Sequence, residues 1–184
     1  MADSTVDIDA FARAADPVLL DEKQFVQLID VMDMLGRAGT GINLAAMRTE
    51  TFVWFVARAS GEQLAHLMGH PHLRHVVFDE IFRRMSLHLD TRKAANLRAV
   101  VHWRFTGGAG GYDRFETVID NGSCVSGTEP TADPRVTITL APEDFLRLVT
   151  GGIGVAMLFM RGKVKVRGDI AFAANLINYF DLPG

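Results

Sequence analysis

Histidine supplies the densest group of side chains that could do chemistry in this chain. Imidazole is a common zinc ligand and proton carrier, and zinc would need at least three such ligands converging on one point. Gly69 and Pro71 interrupt any helix that would present the four histidines together, and no HExxH motif or cysteine partner accompanies them. We therefore predict solvated helix ends and no metal site. The four residues are His66, His70, His72 and His75.

Other reactive side chains are few and isolated. His102, Tyr112 and Asp113 lie near a predicted hairpin and have the right types for acid–base work, but strand alternation puts His102 on the polar face of its strand. Cys124 has no histidine placed next to it to activate the thiol. We therefore predict no catalytic residue.

Two glycine-containing stretches depart from nucleotide-binding loops. The Gly152-Ile-Gly154 stretch does not follow a predicted strand and lacks the third glycine of a dinucleotide fingerprint. The Arg161-Gly-Lys163 stretch lacks the upstream glycine and the hydroxyl residue of a phosphate loop. The sequence predicts no cofactor.

The segment over residues 145–169 is instead strongly apolar. Two apolar stretches are separated by Gly151, Gly152 and Gly154 and are followed by an alternating strand. The simplest interpretation is a helical cover on a sheet. The glycine break and two methionines, whose unbranched side chains adapt to ligands of varied shape, favour a jointed cover over an apolar cavity.

Apolar periodicity predicts the elements that position these residues. Asp21 can cap a helix whose apolar stripe runs from Phe25 to Leu35, and Ser60 and Pro71 can start two more helices. The run at 52–56 fits a buried helix or a strand equally well. After Asn96 the period changes to two, which predicts strands.

The strands have one apolar and one mostly polar face, joined by turns at 107–111, at Asn121-Gly122 and at 130–134. The fold class is therefore α+β, with a sheet covered by helices on one face only. The residues predicted to face the helices are Val101, Trp103, Phe105, Phe115, Ile119, Ile138, Leu140, Val164 and Val166.

Composition limits the function classes. The 184 residues are 48% apolar and 22% charged, with a net charge of −3 and one cysteine. The single cysteine excludes an internal disulfide. The negative net charge argues against a nucleic-acid binder, which would carry a basic stripe. No apolar run approaches the ~20 residues of a membrane span, and the start lacks the pattern of a secretory signal. We expect a cytoplasmic protein.

The order of the strands, the runs DFLRLVTGG and MLFMRGKVKVRGD, and a final apolar helix together resemble the sterol carrier protein type 2 lipid-binding domain. The similarity is to bacterial versions with a helical N-terminal extension. It implies a five-stranded, mostly antiparallel sheet that encloses an apolar cavity with its helices. Residues 1–60 fall largely outside the pattern, so we expect a helical extension over 1–60 and a lipid-binding domain over 61–184.

The resemblance also implies the ligand-binding residues. An anionic headgroup would lie near Arg161 or Lys163. The cavity would be lined by Phe105, Phe115, Ile138, Leu140, Phe145, Leu148, Val149, Met157, Leu158, Met160, Phe172, Leu176 and Phe180.

The expected function is non-enzymatic binding or transfer of a fatty acid, acyl-CoA or sterol-like lipid. One alternative is an enzyme or accessory subunit that uses the same pocket to shield a hydrophobic substrate, which a carboxylate or histidine pointing into the pocket would favour. Another is an interaction module whose helices in residues 1–60 dock a partner or form a homodimer.

Overall fold

The computed structural model describes residues 6–181 and 183. The chain divides into two compact units after residue 80. Among the described residues, the helical unit comprises 6–80 and 183, and the sheet unit comprises 81–181. The functional domain boundary expected between residues 60 and 61 stays a prediction. No helix within residues 6–181 and 183 has the length and apolar content to cross a membrane.

The helical unit contains helices whose starts the sequence encodes. Asp21 and Gln24 form a capping box at the second helix, and Ser60 and Gln63 form another at the fourth. The ambiguous run at 52–56 is helical. The helices are α1 (Ile8–Ala14), α2 (Glu22–Arg37), α3 (Thr49–Arg58), α4 (Gly61–Met68) and the first part of α5 (Pro71–Leu87).

The apolar stripe of α2 is buried inside the helical unit. Phe25 and Met32 are each 1% exposed, and the ring of Phe25 stacks on that of Phe55 from α3 at 5.6 Å. The opposite side of α2 leaves Val31 and Met34 exposed. A homodimer formed through the N-terminal helices stays a prediction.

The sheet has five strands in the order β3-β2-β1-β4-β5. Only the β1–β4 pair is parallel, so the predicted five-stranded, mostly antiparallel α+β sheet is confirmed. The β2–β3 turn is tight because Asn121 and Gly122 adopt φ angles of 48° and 89°. The strands are β1 (Arg98–Gly108), β2 (Gly111–Asp120), β3 (Ser123–Gly127), β4 (Val136–Leu140) and β5 (Val164–Gly168).

Burial follows the predicted alternation. Of the nine residues expected to face the helices, eight are buried and Val166 is half-buried. A one-residue slip would move this whole set to the other face, so the register of the sheet is confirmed. The inner face of the sheet is the face that carries these residues, and the open face is the other one.

Three further helices complete the sheet unit: α6 (Pro142–Val149), α7 (Val155–Met160) and α8 (Ile170–Asn175). Apolar spacing predicts a last helix that starts at Asp169 and carries Phe172, Leu176, Ile177 and Phe180, but α8 ends at Asn175 and a 3-10 turn follows. Phe180 instead pairs with Leu89 in an antiparallel bridge. Backbone hydrogen bonds from Asp90 N to Tyr179 O and from Asp181 N to His88 O hold this bridge at 2.7 Å each. The tertiary pairing satisfies backbone groups that a longer helix would otherwise bond internally.

Candidate functional site

Five aromatic rings form the centre of the inner face, and we call them the aromatic cluster. Ring centroids lie 4.7 Å apart for Phe82 and Phe115, 4.8 Å for Phe105 and Phe145, and 5.2 Å for Trp103 and Phe145. These are favourable separations for aromatic pairs. The cluster joins α5, β1, β2 and α6 into one apolar interior.

The one polar ring atom of the aromatic cluster is satisfied. Trp103 Nε1 donates to Thr117 Oγ1 at 3.0 Å, and Thr117 Oγ1 lies 2.8 Å from Ser126 Oγ. A buried indole N–H without an acceptor would cost stability. Thr117 therefore lets a tryptophan occupy the apolar face without an orphaned donor.

The structure buries eleven of the thirteen residues expected to line the cavity. The two exceptions lie on α7, where Met157 is 43% and Met160 79% exposed. The cavity and its lining stay predictions for all thirteen. The buried residues, each at most 7% exposed, are Phe105, Phe115, Ile138, Leu140, Phe145, Leu148, Val149, Leu158, Phe172, Leu176 and Phe180.

Helix α7 is apolar throughout but mostly faces solvent. Among its six residues only Leu158 is buried, and Phe159 is 56% exposed. The turns on both sides use glycines with positive φ, 76° at Gly151 and 66° at Gly162, which other residues rarely adopt. The expected break between two apolar segments is therefore present as a joint between α6 and α7.

The two expected headgroup residues flank this helix. Arg161 follows α7 and is exposed. Lys163 Nζ lies 3.6 Å from Asp144 Oδ1 of α6, so a carboxylate of the protein already balances part of its charge. A role for either residue with a ligand headgroup stays a prediction.

The open face holds a buried carboxylate that the sequence pattern did not reveal. Glu116 is 4% exposed and accepts hydrogen bonds from Thr131 N at 2.9 Å, Thr131 Oγ1 at 2.6 Å and Ala132 N at 3.3 Å. His102 Nε2 lies 3.0 Å from Glu116 Oε2. Alternation placed His102 correctly on the polar face, but the loop at 128–135 partly covers it.

These hydrogen bonds set the ionisation of Glu116. Burial alone would raise the pKa of this carboxyl, but the donors from Thr131, His102 and Ala132 outweigh burial and lower the pKa from 4.5 to about 2. The carboxylate therefore stays charged at neutral pH and ties the loop to β2. The sequence held one signal for this buried carboxylate. A glutamate lies opposite a histidine on neighbouring predicted strands, and a loop bounded by prolines follows.

The histidine group shows no metal-binding arrangement. The rings of His66 and His70 are 5.3 Å apart, whereas His72 Nε2 lies 2.8 Å from Asp33 Oδ2. In the described part of the chain, no three histidine, cysteine or acidic side chains are grouped to hold a metal ion.

Cys124 is buried beside α5. Its Sγ atom is 4.0 Å from Ser86 Oγ. Burial raises the pKa of the Cys124 thiol, which disfavours the reactive thiolate. The geometry favours a packing role for this side chain.

The curated relatives are longer proteins. Over 98 residues the chain is 32% identical to hydroxysteroid dehydrogenase-like protein 2 of Rattus norvegicus, a match that covers 53% of this chain and 18% of that protein. Over 56 residues it is 39% identical to peroxisomal multifunctional enzyme A of Dictyostelium discoideum, covering 30% of this chain and 12% of that protein. The chain thus spans a fifth or less of the length of these two relatives.

The chain is also similar to solved structures, and most of its sheet unit matches a family of known proteins. The sec-alkylsulfatase Pisa1 from Pseudomonas sp. is 17% identical with a TM-score of 0.51, over 95% of this chain and 32% of that chain, so the likeness is one of fold. Sterol carrier protein 2 from Yarrowia lipolytica is 25% identical with a TM-score of 0.44, over 56% of this chain and 86% of that chain. Residues 78–181, more than half of the chain, match the SCP-2 sterol transfer family. The chain therefore belongs to the SCP-2 sterol transfer family.

Proposed function

We propose that the sheet unit binds a long-chain apolar ligand, such as a fatty acid, an acyl-CoA or a sterol-like lipid, without catalysing a reaction on it. The observation that carries this proposal is the arrangement of the inner face. A continuous apolar and aromatic interior lies against α6, and the next helix, α7, exposes apolar side chains between glycine joints. Membership of a sterol transfer family supports the same class of ligand.

The energy of such binding comes from apolar burial. Each buried methylene contributes about 0.8 kcal/mol, so ten buried methylenes contribute about 8 kcal/mol before the costs of association. Few polar contacts are then needed to hold an acyl chain. Arg161, exposed at the end of α7, is the proposed contact for an anionic headgroup.

Helix α7 is the proposed movable part of the cover. It buries only Leu158, so its displacement exposes little apolar surface that water does not already reach. The positive-φ glycines on both sides allow the change in backbone direction that such a displacement needs. In this proposal the ligand enters beneath α7, and Met157 and Met160 turn toward it.

A second candidate is an accessory role beside an enzyme. The curated relatives carry enzyme names, and the matched part is 18% of the rat protein and 12% of the Dictyostelium protein. Within a longer enzyme, the pocket of such a domain would shield a hydrophobic substrate or present it to the active site. The ligand class is the same in both candidates.

Replacing Leu148 by tryptophan is expected to fill the ligand site. Leu148 is 7% exposed on α6, and a large ring in a ligand cavity displaces ligand at little cost to the fold. A fluorescent fatty acid should bind at least about tenfold more weakly, as the loss of two buried methylenes would produce. The measurement is a fluorescence titration with thermal unfolding in parallel.

The matched control is Arg147→Trp, which adds the same ring at an exposed position of the same helix and should leave the affinity unchanged. The proposal fails if the parent protein binds no fatty acid, acyl-CoA or sterol and Leu148→Trp lowers the free energy of unfolding by about 1–3 kcal/mol. That pattern would mean overpacking of a solid core.

A further inference from the structure

We propose that the open face of the sheet carries a binding site for a tetrahedral oxyanion, a phosphate or sulfate group, built from Arg104 and Arg114. The side chains that build this site, those of Arg104 and Arg114, belong to the face of β1 and β2 opposite to the apolar interior. It gives the sheet unit a second ligand class that is polar and anionic.

Strand register brings the two arginines together. Arg104 of β1 and Arg114 of β2 are direct partners across the antiparallel pair, and His102 and Glu116 are the next partners on the same face. Side chains of directly opposed residues start from Cβ atoms about 5 Å apart. Two guanidinium groups therefore leave the same face side by side, each with donors suited to bidentate contact with an oxyanion.

A cavity of about 200 Å³ lies at this position. A water molecule takes about 30 Å³ in the liquid, so the cavity has room for a tetrahedral oxyanion that keeps part of its hydration. One wall comes from the loop after β3. The lining residues are His102, Trp103, Arg104, Arg114, Phe115, Glu116, Thr128 and Pro130.

The protein balances only part of the positive charge at the site, because Glu116 lines the same cavity and carries one negative charge against the two arginines. Like charges directly opposed across two strands repel each other, and a bound anion would relieve the repulsion between Arg104 and Arg114. Within residues 6–181 and 183, neither arginine has a carboxylate partner within 4.0 Å. Glu129 belongs to the same loop as Thr128 and Pro130 but is not among the cavity residues.

Glu116 is bonded to the loop and to His102 and makes no ion pair with either arginine, but it keeps its negative charge and offsets part of theirs. Thr131 N and Oγ1, Ala132 N and His102 Nε2 are its partners. This carboxylate acts as a positioning residue: it holds the loop over the sheet and fixes the wall that carries Pro130. Lys165 adds positive charge on the same row of the sheet. Arg104 of β1 pairs with Thr139 of β4, and Thr139 pairs with Lys165 of β5.

The test titrates the full chain with inorganic phosphate and with sulfate, following backbone and arginine Nε–Hε resonances by two-dimensional NMR at constant ionic strength. We expect saturable shifts confined to residues near Arg104 and Arg114. Arg104→Gln and Arg114→Gln should each weaken binding about tenfold, as expected for the loss of one charge-assisted contact. The control is Arg98→Gln, which removes an arginine of the same strand that pairs with Asp120 at 3.1 Å, and it should bind as the parent does.

Three results would overturn the proposal. One is the absence of saturable shifts with either anion. Another is an equal response to sodium chloride of the same ionic strength, which would mean general screening of a charged surface. The third is unchanged binding in both glutamine variants, with the spectra showing that each is folded.

Discussion

Replacing Phe145 by alanine is expected to lower the free energy of unfolding of the sheet unit by about 3–5 kcal/mol. Phe145 is fully buried, and its ring lies 4.8 Å from that of Phe105, 5.2 Å from that of Trp103 and 5.6 Å from that of Phe82. Truncation removes the ring that joins α6 to the strands and leaves a cavity. Urea unfolding followed by tryptophan fluorescence measures the change.

Phe159→Ala is the control for this prediction, since the same side chain on α7 is 56% exposed. Surface substitutions of this kind usually change stability by less than about 0.5 kcal/mol. Equal losses in the two variants would contradict the placement of the aromatic cluster at the centre of the interior.

Acid is expected to destabilise the fold through Glu116. Its pKa lies at about 2 in the folded protein and 4.5 is the ordinary value, so the stability it contributes is complete above about pH 4.5 and is lost as the pH falls toward about 2. The contribution is about 2 kcal/mol once solvent screening around the loop is allowed for. Glu116→Gln should lower stability at pH 7 and flatten the pH dependence in this window.

Urea unfolding at several pH values between 2 and 7 measures this effect in the parent and the variant. Asp120→Asn serves as control, because Asp120 is exposed on the same strand and pairs with the exposed Arg98. The assignment is wrong if the glutamine variant keeps the full pH dependence of the parent protein.

Much of the fold follows from local sequence signals. Alternation in β1 and β2 sets which side chains face the helices, and the Asn121-Gly122 turn fixes the register between β2 and β3. Capping residues such as Asp21 and Ser60 mark helix starts because their side chains bond the free amides there. These signals act over a few residues, so they can be seen in one sequence.

Other features depend on contacts between distant segments. All six residues of α7 are apolar, so its sequence carries no amphipathic phase, and the exposure of Met157 and Met160 cannot be predicted from periodicity. The burial of Glu116 depends on a loop that returns 15 residues later. The last helix ends at Asn175, and Phe180 pairs with Leu89, a contact between segments far apart along the chain.

Native mass spectrometry of the freshly purified protein, with extraction and identification of bound lipid, tests lipid binding most directly. We expect a species heavier than the chain by the mass of one long-chain apolar molecule, which disappears after organic extraction and returns when that molecule is added back. The Leu148→Trp protein should carry much less of it. A parent protein that shows only the mass of the bare chain, and that binds no added fatty acid, acyl-CoA or sterol, would contradict the account.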